Sequence, residues 1–450
     1  MLIEIALVLA TSVAGLPATE ASSAPAIQFQ STVATDATAP FVGPVVDTTG
    51  SLGTATFSAR ALTSLASIPA DNISQYLASR PGVVEQILAE QPPAQEVALW
   101  WGDLATDRQA ALENASPQLL GNLEGVPYTI RDISNRTVLD ETIVELSAVV
   151  DSDAGRAVQQ TAQQQLNMLS SISASLVFDK AAPERTLITL DVTGQGRAAI
   201  VLGDLSDADY VSFLVPGMFF TIEGQMSYWA DAASTLYSEQ QMWLDHFDSQ
   251  SVFTRNETVA TVAWIGYDTP NLTNVGAIDN AVQGRDTLAH AILGLQAQRG
   301  ADQPYISVVA HSYGTTAAMM ALSEYDFDID ALAMVGSPGS PAGSVEDLNV
   351  RDGNVFVGEA AWDPIPNSSY FGADPGTESF GAHSLGVSGS FDVVMKQELT
   401  GSIGHNEYFT PGSESMRNFA LLCIGRSDLV IPEKASVVER AISFASRDES

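Results

Sequence analysis

One cysteine, five histidines and 19 basic residues are all that this 450-residue chain spends on three chemistries that many proteins rely on. The lone cysteine, Cys423, excludes an intramolecular disulfide, and its apolar surroundings from Phe419 to Ile424 read as those of a structural thiol. No cluster of histidine and cysteine has metal-ligand spacing, so the sequence predicts no metal and no cofactor. Against the 19 basic residues, of which three are lysine, stand 54 acidic ones, a net charge of −35. Such a surface repels phosphate backbones and anionic headgroups, which excludes nucleic acid as a partner. No apolar run reaches the ~18 residues that a membrane-spanning helix needs. The nearest, Leu2 to Leu16, is interrupted by Glu4. It has the length of a signal-peptide core but no basic residue ahead of it, the first being Arg60. Two localisations therefore stay open, an exported or envelope-associated protein and a cytoplasmic one.

What is present is material for a large α/β protein, with 45% of residues hydrophobic. Residues 1–58 read as the hydrophobic start followed by a linker rich in Ala, Ser, Thr and Pro, with a short hairpin around Asp47 to Gly50. Residues 59–180 carry apolar positions at three- and four-residue spacing and read as a helical domain. Trp100 and Trp101 within it are adjacent on a helix, so they point to different sides and read as core rather than as a ligand platform. Residues 181–450 change character. Strand-like runs at 186–191, 198–203, 210–216, 259–264, 306–310, 331–336 and 354–357 alternate, after a first hairpin, with helical stretches such as 226–245 and 277–298. Antiparallel strands first and βα units afterwards predict a mixed, mostly parallel sheet flanked by helices.

The most informative stretch lies within that alternation. Tyr305 to Ala310 is an apolar run with β-branched Ile306, Val308 and Val309, His311-Ser312-Tyr313-Gly314 a sharp turn, and Thr315 to Leu322 an Ala- and Met-rich helix. This is the layout of a nucleophile elbow, with Ala310 where G-x-S-x-G has its first glycine. A serine in that turn is lifted off the sheet with its hydroxyl exposed, and the helix behind it offers unpaired N–H groups to a developing oxyanion.

A serine hydroxyl needs a base and a carboxylate, expected later in the chain in the order Ser, Asp/Glu, His. His246 and His290 precede the serine in helical segments. His311 adjoins it, and its side chain should point away from the nucleophile. His405, in the glycine-flanked loop Gly401 to Phe409, is the preferred base, with His383 as the alternative. Asp363, just past the run Asn354 to Gly358 and fixed by Pro364, is the preferred acid, with Glu359 as the alternative. The Pro216-Gly217 turn after the run Tyr210 to Val215 places the N–H of Met218 beside that of Tyr313, a two-donor oxyanion hole.

The blocks Val215-Pro216-Gly217-Met218, Ala263 to Asp268, His311 to Gly314, Val335 to Gly339, Trp362-Asp363-Pro364 and Gly404 to Phe409 resemble an actinobacterial α/β-hydrolase family catalogued as a domain of unknown function, DUF1023. A further block, from Trp100-Trp101 through residues 120–127 to Arg131–Arg136, is similar to the helical segment that precedes the core in that family. The resemblance covers roughly residues 95–425. It implies an α/β-hydrolase fold and a Ser312–Asp363–His405 triad, and it supplies no substrate. The resulting expectation is a serine hydrolase acting on a small-molecule or lipid-like acyl substrate, with an amidase or peptidase on the same triad, or a binding protein that keeps the fold, as alternatives.

Overall fold

The computed structural model describes residues 56–178, 183–252, 255–271 and 273–433. The hydrophobic N-terminal run and the hairpin expected at 47–50 lie outside the described residues, as does the linker up to residue 55. The first helix already begins at Phe57, inside the segment read as linker.

Six short helices come first: α1 (Phe57–Ser67), α2 (Ile73–Ala78), α3 (Val83–Glu90), α4 (Ala94–Asp103), α5 (Thr106–Ala115) and α6 (Pro117–Asn122). They enclose an apolar core of their own, in which Leu65, Ile73, Ile87, Val97 and Leu112 are wholly buried. Trp101 lies in that core, while the indole N–H of Trp100 donates to the Leu62 carbonyl at 2.9 Å, so both tryptophans are structural. Two long helices follow, α7 (Tyr128–Val150) and α8 (Arg156–Leu176). Although they sit in the helical part of the sequence, Leu139, Met168, Leu169, Ile172 and Leu176 pack into the core of the sheet.

The sheet has eight strands: β1 (Arg185–Asp191), β2 (Arg197–Leu202), β3 (Tyr210–Val215), β4 (Val259–Ile265), β5 (Tyr305–His311), β6 (Ala331–Val335), β7 (Val355–Gly358) and β8 (His383–Ser384). Their order is β1-β2-β4-β3-β5-β6-β7-β8, with β2 antiparallel to both neighbours and every later pair parallel. Between the strands run α9 (Ile222–Gln250), α10 (Asp279–Arg299) and α11 (Tyr313–Glu324). A small hairpin of β9 (Ser390–Asp392) and β10 (Gln397–Leu399) precedes the last helix, α12 (Glu414–Cys423). The apolar packing splits into two faces, one with α8, α9 and α12 and the other with α10 and α11. Burial on both faces is why the central strands read as unbroken apolar runs. This order, with a single reversed strand near one edge and crossover helices on both faces, is the α/β-hydrolase fold.

β1 is an edge strand, and an open edge is a row of unpaired N–H and C=O groups. Helical side chains take them up. Leu187 donates its N–H to Asp132 at 2.6 Å and accepts from Asn135 at 2.9 Å. Leu190 donates to and accepts from Asn122, both at 2.9 Å. The Arg185 carbonyl accepts from Arg136 at 2.6 Å. Side chains of α6 and α7 thus do for β1 what a neighbouring strand would do.

Candidate active site

The elbow forms at the end of β5, a central strand buried from Ile306 onward. Ser312 adopts φ 54° and ψ −129°, a conformation that costs an L-residue roughly 1–3 kcal/mol and persists only where its surroundings impose it. Two glycines make room for it. A Cβ on Gly217 would stand 2.5 Å from the Ser312 Cβ, and one on Gly314 would stand 2.3 Å from the Pro216 carbonyl oxygen. The turn after β3 can therefore press directly on the elbow. Ala310 is wholly buried in the α10–α11 face, so the methyl that replaces the usual first glycine is packed. Contrary to the sequence expectation of an exposed hydroxyl, Ser312 is only 3% exposed, because the Gly217 turn and the base close over it.

His405 reaches Ser312 from the loop between β10 and α12. The Ser312 hydroxyl donates to His405 Nε2 at 2.6 Å, and His405 Nδ1–H donates to Asp363 Oδ1 at 2.9 Å and Oδ2 at 3.0 Å. Asp363 sits in the turn after β7. Trp362 takes φ 64° there and stays 90% exposed, while the neighbouring aspartate turns inward and its side chain is wholly buried. Burial works to raise the pKa of Asp363, but the hydrogen bond and charge of His405, with the Tyr408 hydroxyl and the Ile365 N–H, bring it below the ordinary carboxylate value. Met218 and Tyr313 lie at the two places expected for the oxyanion donors, just past the β3 turn and at the first position of α11. Among the described residues no hydrogen bond takes up either N–H.

The alternatives lie elsewhere. His383 is on the exposed edge strand β8, with its ring 5.1 Å from that of Phe356. Glu359 accepts from Asn367 at 3.3 Å, and its pKa is raised, first by burial and then by the charge of Asp374. A cavity of about 580 Å³ opens at the seam between the helical region and the sheet, lined by residues such as Gln118, Arg197 and His290. Neither Ser312 nor His405 borders it, so it is set apart from the site by position.

Three residues here escaped sequence reasoning as parts of a site. Tyr408, wholly buried, donates to Asp363 Oδ2 at 2.6 Å and accepts from the Ala360 N–H at 2.9 Å. Burial, followed by the charge of Asp363, holds its phenol protonated, as a donor must be. Gly336 has φ 61°, and a Cβ there would lie 2.9 Å from His405 Cε1 and 3.0 Å from Asp363 Oδ2. His311, whose side chain was expected to point away from Ser312, lies against His405, with ring centroids 4.7 Å apart. A Tyr three positions past the histidine was the available signal for Tyr408, whereas nothing local marks His311 or Gly336.

Comparison with known proteins places residues 191–373 as a match to the model of an alpha/beta hydrolase family. An uncharacterized protein of Mycobacterium tuberculosis, Rv2079, is 25% identical over 401 residues, which is 76% of this chain and 58% of that protein. The chain thus spans 58% of the length of that relative. A second uncharacterized protein of the same organism, Rv0963c, is 26% identical over 203 residues, covering 43% of this chain and 74% of its own. Among solved structures, an esterase from the archaeon Pyrobaculum calidifontis aligns with TM-score 0.32 and 13% identity over 64% of this chain and 96% of its own.

Proposed function

We propose that the protein is a serine hydrolase that cleaves an ester-like or other acyl bond through a covalent acyl-enzyme. One observation carries the reading: a serine in a strained backbone conformation hydrogen-bonds an imidazole, which hydrogen-bonds a buried carboxylate. In this reading Ser312 Oγ attacks the acyl carbonyl as His405 Nε2 takes its proton, and the oxyanion is met by the N–H groups of Met218 and Tyr313. Collapse of the tetrahedral intermediate returns the proton from His405 to the leaving group. Water then repeats the sequence on the acyl-Ser312 ester and releases the acid. Asp363 fixes the tautomer with the proton on Nδ1 and stabilises the imidazolium.

The acidic surface favours neutral or cationic substrates over anionic ones. The resemblance to the actinobacterial family, and the match of residues 191–373 to an alpha/beta hydrolase family, support hydrolysis without naming the acyl group. The test is labelling with a fluorophosphonate probe together with hydrolysis of short p-nitrophenyl esters and the matching anilides. Labelling of wild type and its loss in Ser312→Ala are expected, with thermal midpoints within a few degrees of each other. A Ser312→Ala protein that labels and turns over like wild type would remove Ser312 as the nucleophile, and turnover of anilides at the rate of esters would move the reading to an amidase.

A further inference from the structure

His311 occupies a position that the triad leaves unexplained. It is 3% exposed and ends the strand that delivers the nucleophile. Its Nε2 lies 2.8 Å from the backbone carbonyl oxygen of His405. A carbonyl only accepts, so Nε2 carries the hydrogen, and a neutral ring then leaves Nδ1 bare. Nδ1 is buried, and among the described residues it has no partner. Phe220, Tyr408 and Phe409 stand around the ring at centroid distances of 6.3, 6.0 and 5.9 Å, a setting hostile to charge.

We propose that His311 is a positioning residue that acts through His405: its Nε2–H, held in the neutral ring, fixes the peptide of the base above Ser312. The inference rests on the hydrolase reading above. The rest of the loop is pinned on both sides, ahead of His405 by Gly404 N–H to the Ala361 carbonyl and Ser402 N–H to the Val387 carbonyl, both at 2.7 Å, and after it by the Ser415 hydroxyl to the Tyr408 carbonyl at 2.6 Å, but none of these bonds holds His405 itself. The bond from His311 holds the far side of the residue itself and ties it directly to the strand that carries the nucleophile. Neutrality matters as much as the bond. During the reaction His405 becomes an imidazolium, and a protonated ring 4.7 Å away would oppose that charge. Burial, and then the charge of His405, push the pKa of His311 down to about 3, against the opposing pull of the bond to the His405 carbonyl and of Asp363, so the ring stays neutral wherever the base can work.

Volume and hydrogen bonding can be separated by substitution. His311→Phe fills the space without a donor, and His311→Gln puts an amide N–H near the place of Nε2. On a short ester that wild type hydrolyses, His311→Ala and His311→Phe should lower kcat about 10- to 100-fold with KM within about threefold, since a displacement of the order of 1 Å at a reacting group has that effect. His311→Gln should recover kcat to within about threefold of wild type. Recovery by Phe and not by Gln would reduce His311 to packing and overturn the proposal, as would wild-type kcat in His311→Ala. Imidazole ¹⁵N spectra of the wild-type protein test the same claim without substitution. A His311 ring that stays in the neutral Nε2–H form from pH 8 to pH 5 is expected, and a ring that titrates in that range or carries its proton on Nδ1 refutes it. A wild-type protein that neither labels nor turns over any ester would fail the hydrolase reading instead, and the spectra would still decide the state of His311.

Discussion

Two buried polar networks, one along the β1 edge of the sheet and one at the end of its central strand β5, put hydrogen-bonding side chains to different ends. Where α6 and α7 meet β1, Asn122, Asp132, Asn135 and Arg136 each bond to a β1 backbone group. Beside them Arg131, 1% exposed, makes a bidentate pair with Glu124, including a bond of 2.7 Å from Nη2 to Oε1. At the candidate site the chain Tyr408–Asp363–His405–Ser312 runs from side chain to side chain and ends on a hydroxyl. The first network directs its bonds at backbone that would otherwise be left open, and ends on main-chain groups. The second ends on the Ser312 hydroxyl, the nucleophile of the proposed reaction. Burial and hydrogen bonding alone therefore do not separate the two networks, whereas the groups on which they end do.

That contrast is broken most severely at the base. His405→Ala should lower kcat on the order of 10⁵-fold, by analogy with triads in which the histidine alone accounts for most of the catalytic advantage. His383→Ala, on the exposed edge strand, should leave kcat within about twofold. Steady-state kinetics on one ester checks both. The reverse ranking would detach the Ser312–His405 bond from function.

Disrupting the other network should affect stability and spare chemistry. Glu124→Ala strands the Arg131 guanidinium in the interior, and breaking a buried pair from one side costs about 3–5 kcal/mol. Denaturant titration should show that loss, while kcat per folded molecule stays near wild type. A large fall in kcat with stability intact would mean that the helical region takes part in the reaction.

Tyr408 lies between these extremes, since it belongs to the network that ends on Ser312 but its hydroxyl meets only Asp363 and the Ala360 N–H. Tyr408→Phe removes one charge-assisted bond to Asp363, a contribution of about 1.5–3 kcal/mol. We expect kcat to fall about tenfold with KM little changed. With one of the groups that lower its pKa gone, Asp363 should protonate at a higher pH, and its carboxyl ¹³C titration profile should move upward. An unmoved profile with unchanged kcat would make the phenol a packing group.

The comparison also explains what could be read from the sequence. The sheet was legible because its strands are buried on both faces and separated by turn residues, and the elbow because it sets a strand, a turn and a helix in direct succession. The residues chosen as base and acid, His405 and Asp363, were reachable through chain order and loop chemistry, and the structure brings both to Ser312. β8, of two residues, and the hairpin of β9 and β10 are too short to carry a period. α12 was not singled out, and there burial does not follow polarity, since Glu414, Arg417 and Asn418 are buried along with its apolar residues. The edge-capping role of α7 was hidden for another reason. Asp132, Asn135 and Arg136 look like solvent-facing polar residues until the unpaired backbone of β1 is set against them. His311 was discounted by its neighbour in the chain, although its contact lies at a sequence separation of 94.

A further expected effect concerns this same His311 and turns on pH. Its folded pKa is depressed to about 3, whereas an unfolded histidine titrates near 6.5. Between those values the unfolded chain holds a proton that the folded one refuses, so stability rises with pH across the window. The contribution is fully present above about pH 6.5, shrinks as the solution is acidified and is lost by about pH 3. At pH 5 the loss from this residue alone is on the order of 2 kcal/mol, being the distance below the unfolded pKa multiplied by ~1.4 kcal/mol per unit. His311→Gln has no such ionisation and should lose less stability than wild type between pH 7 and pH 5, by about that amount. Carboxylates such as Asp363, whose pKa is lowered in the fold, also lose stability on acidification, but they do so in both proteins and cancel in the difference. Denaturant unfolding of both proteins at the two pH values makes the comparison. Equal decrements would mean that His311 is protonated in the fold at pH 5, and the neutral ring beneath the base would have to be given up.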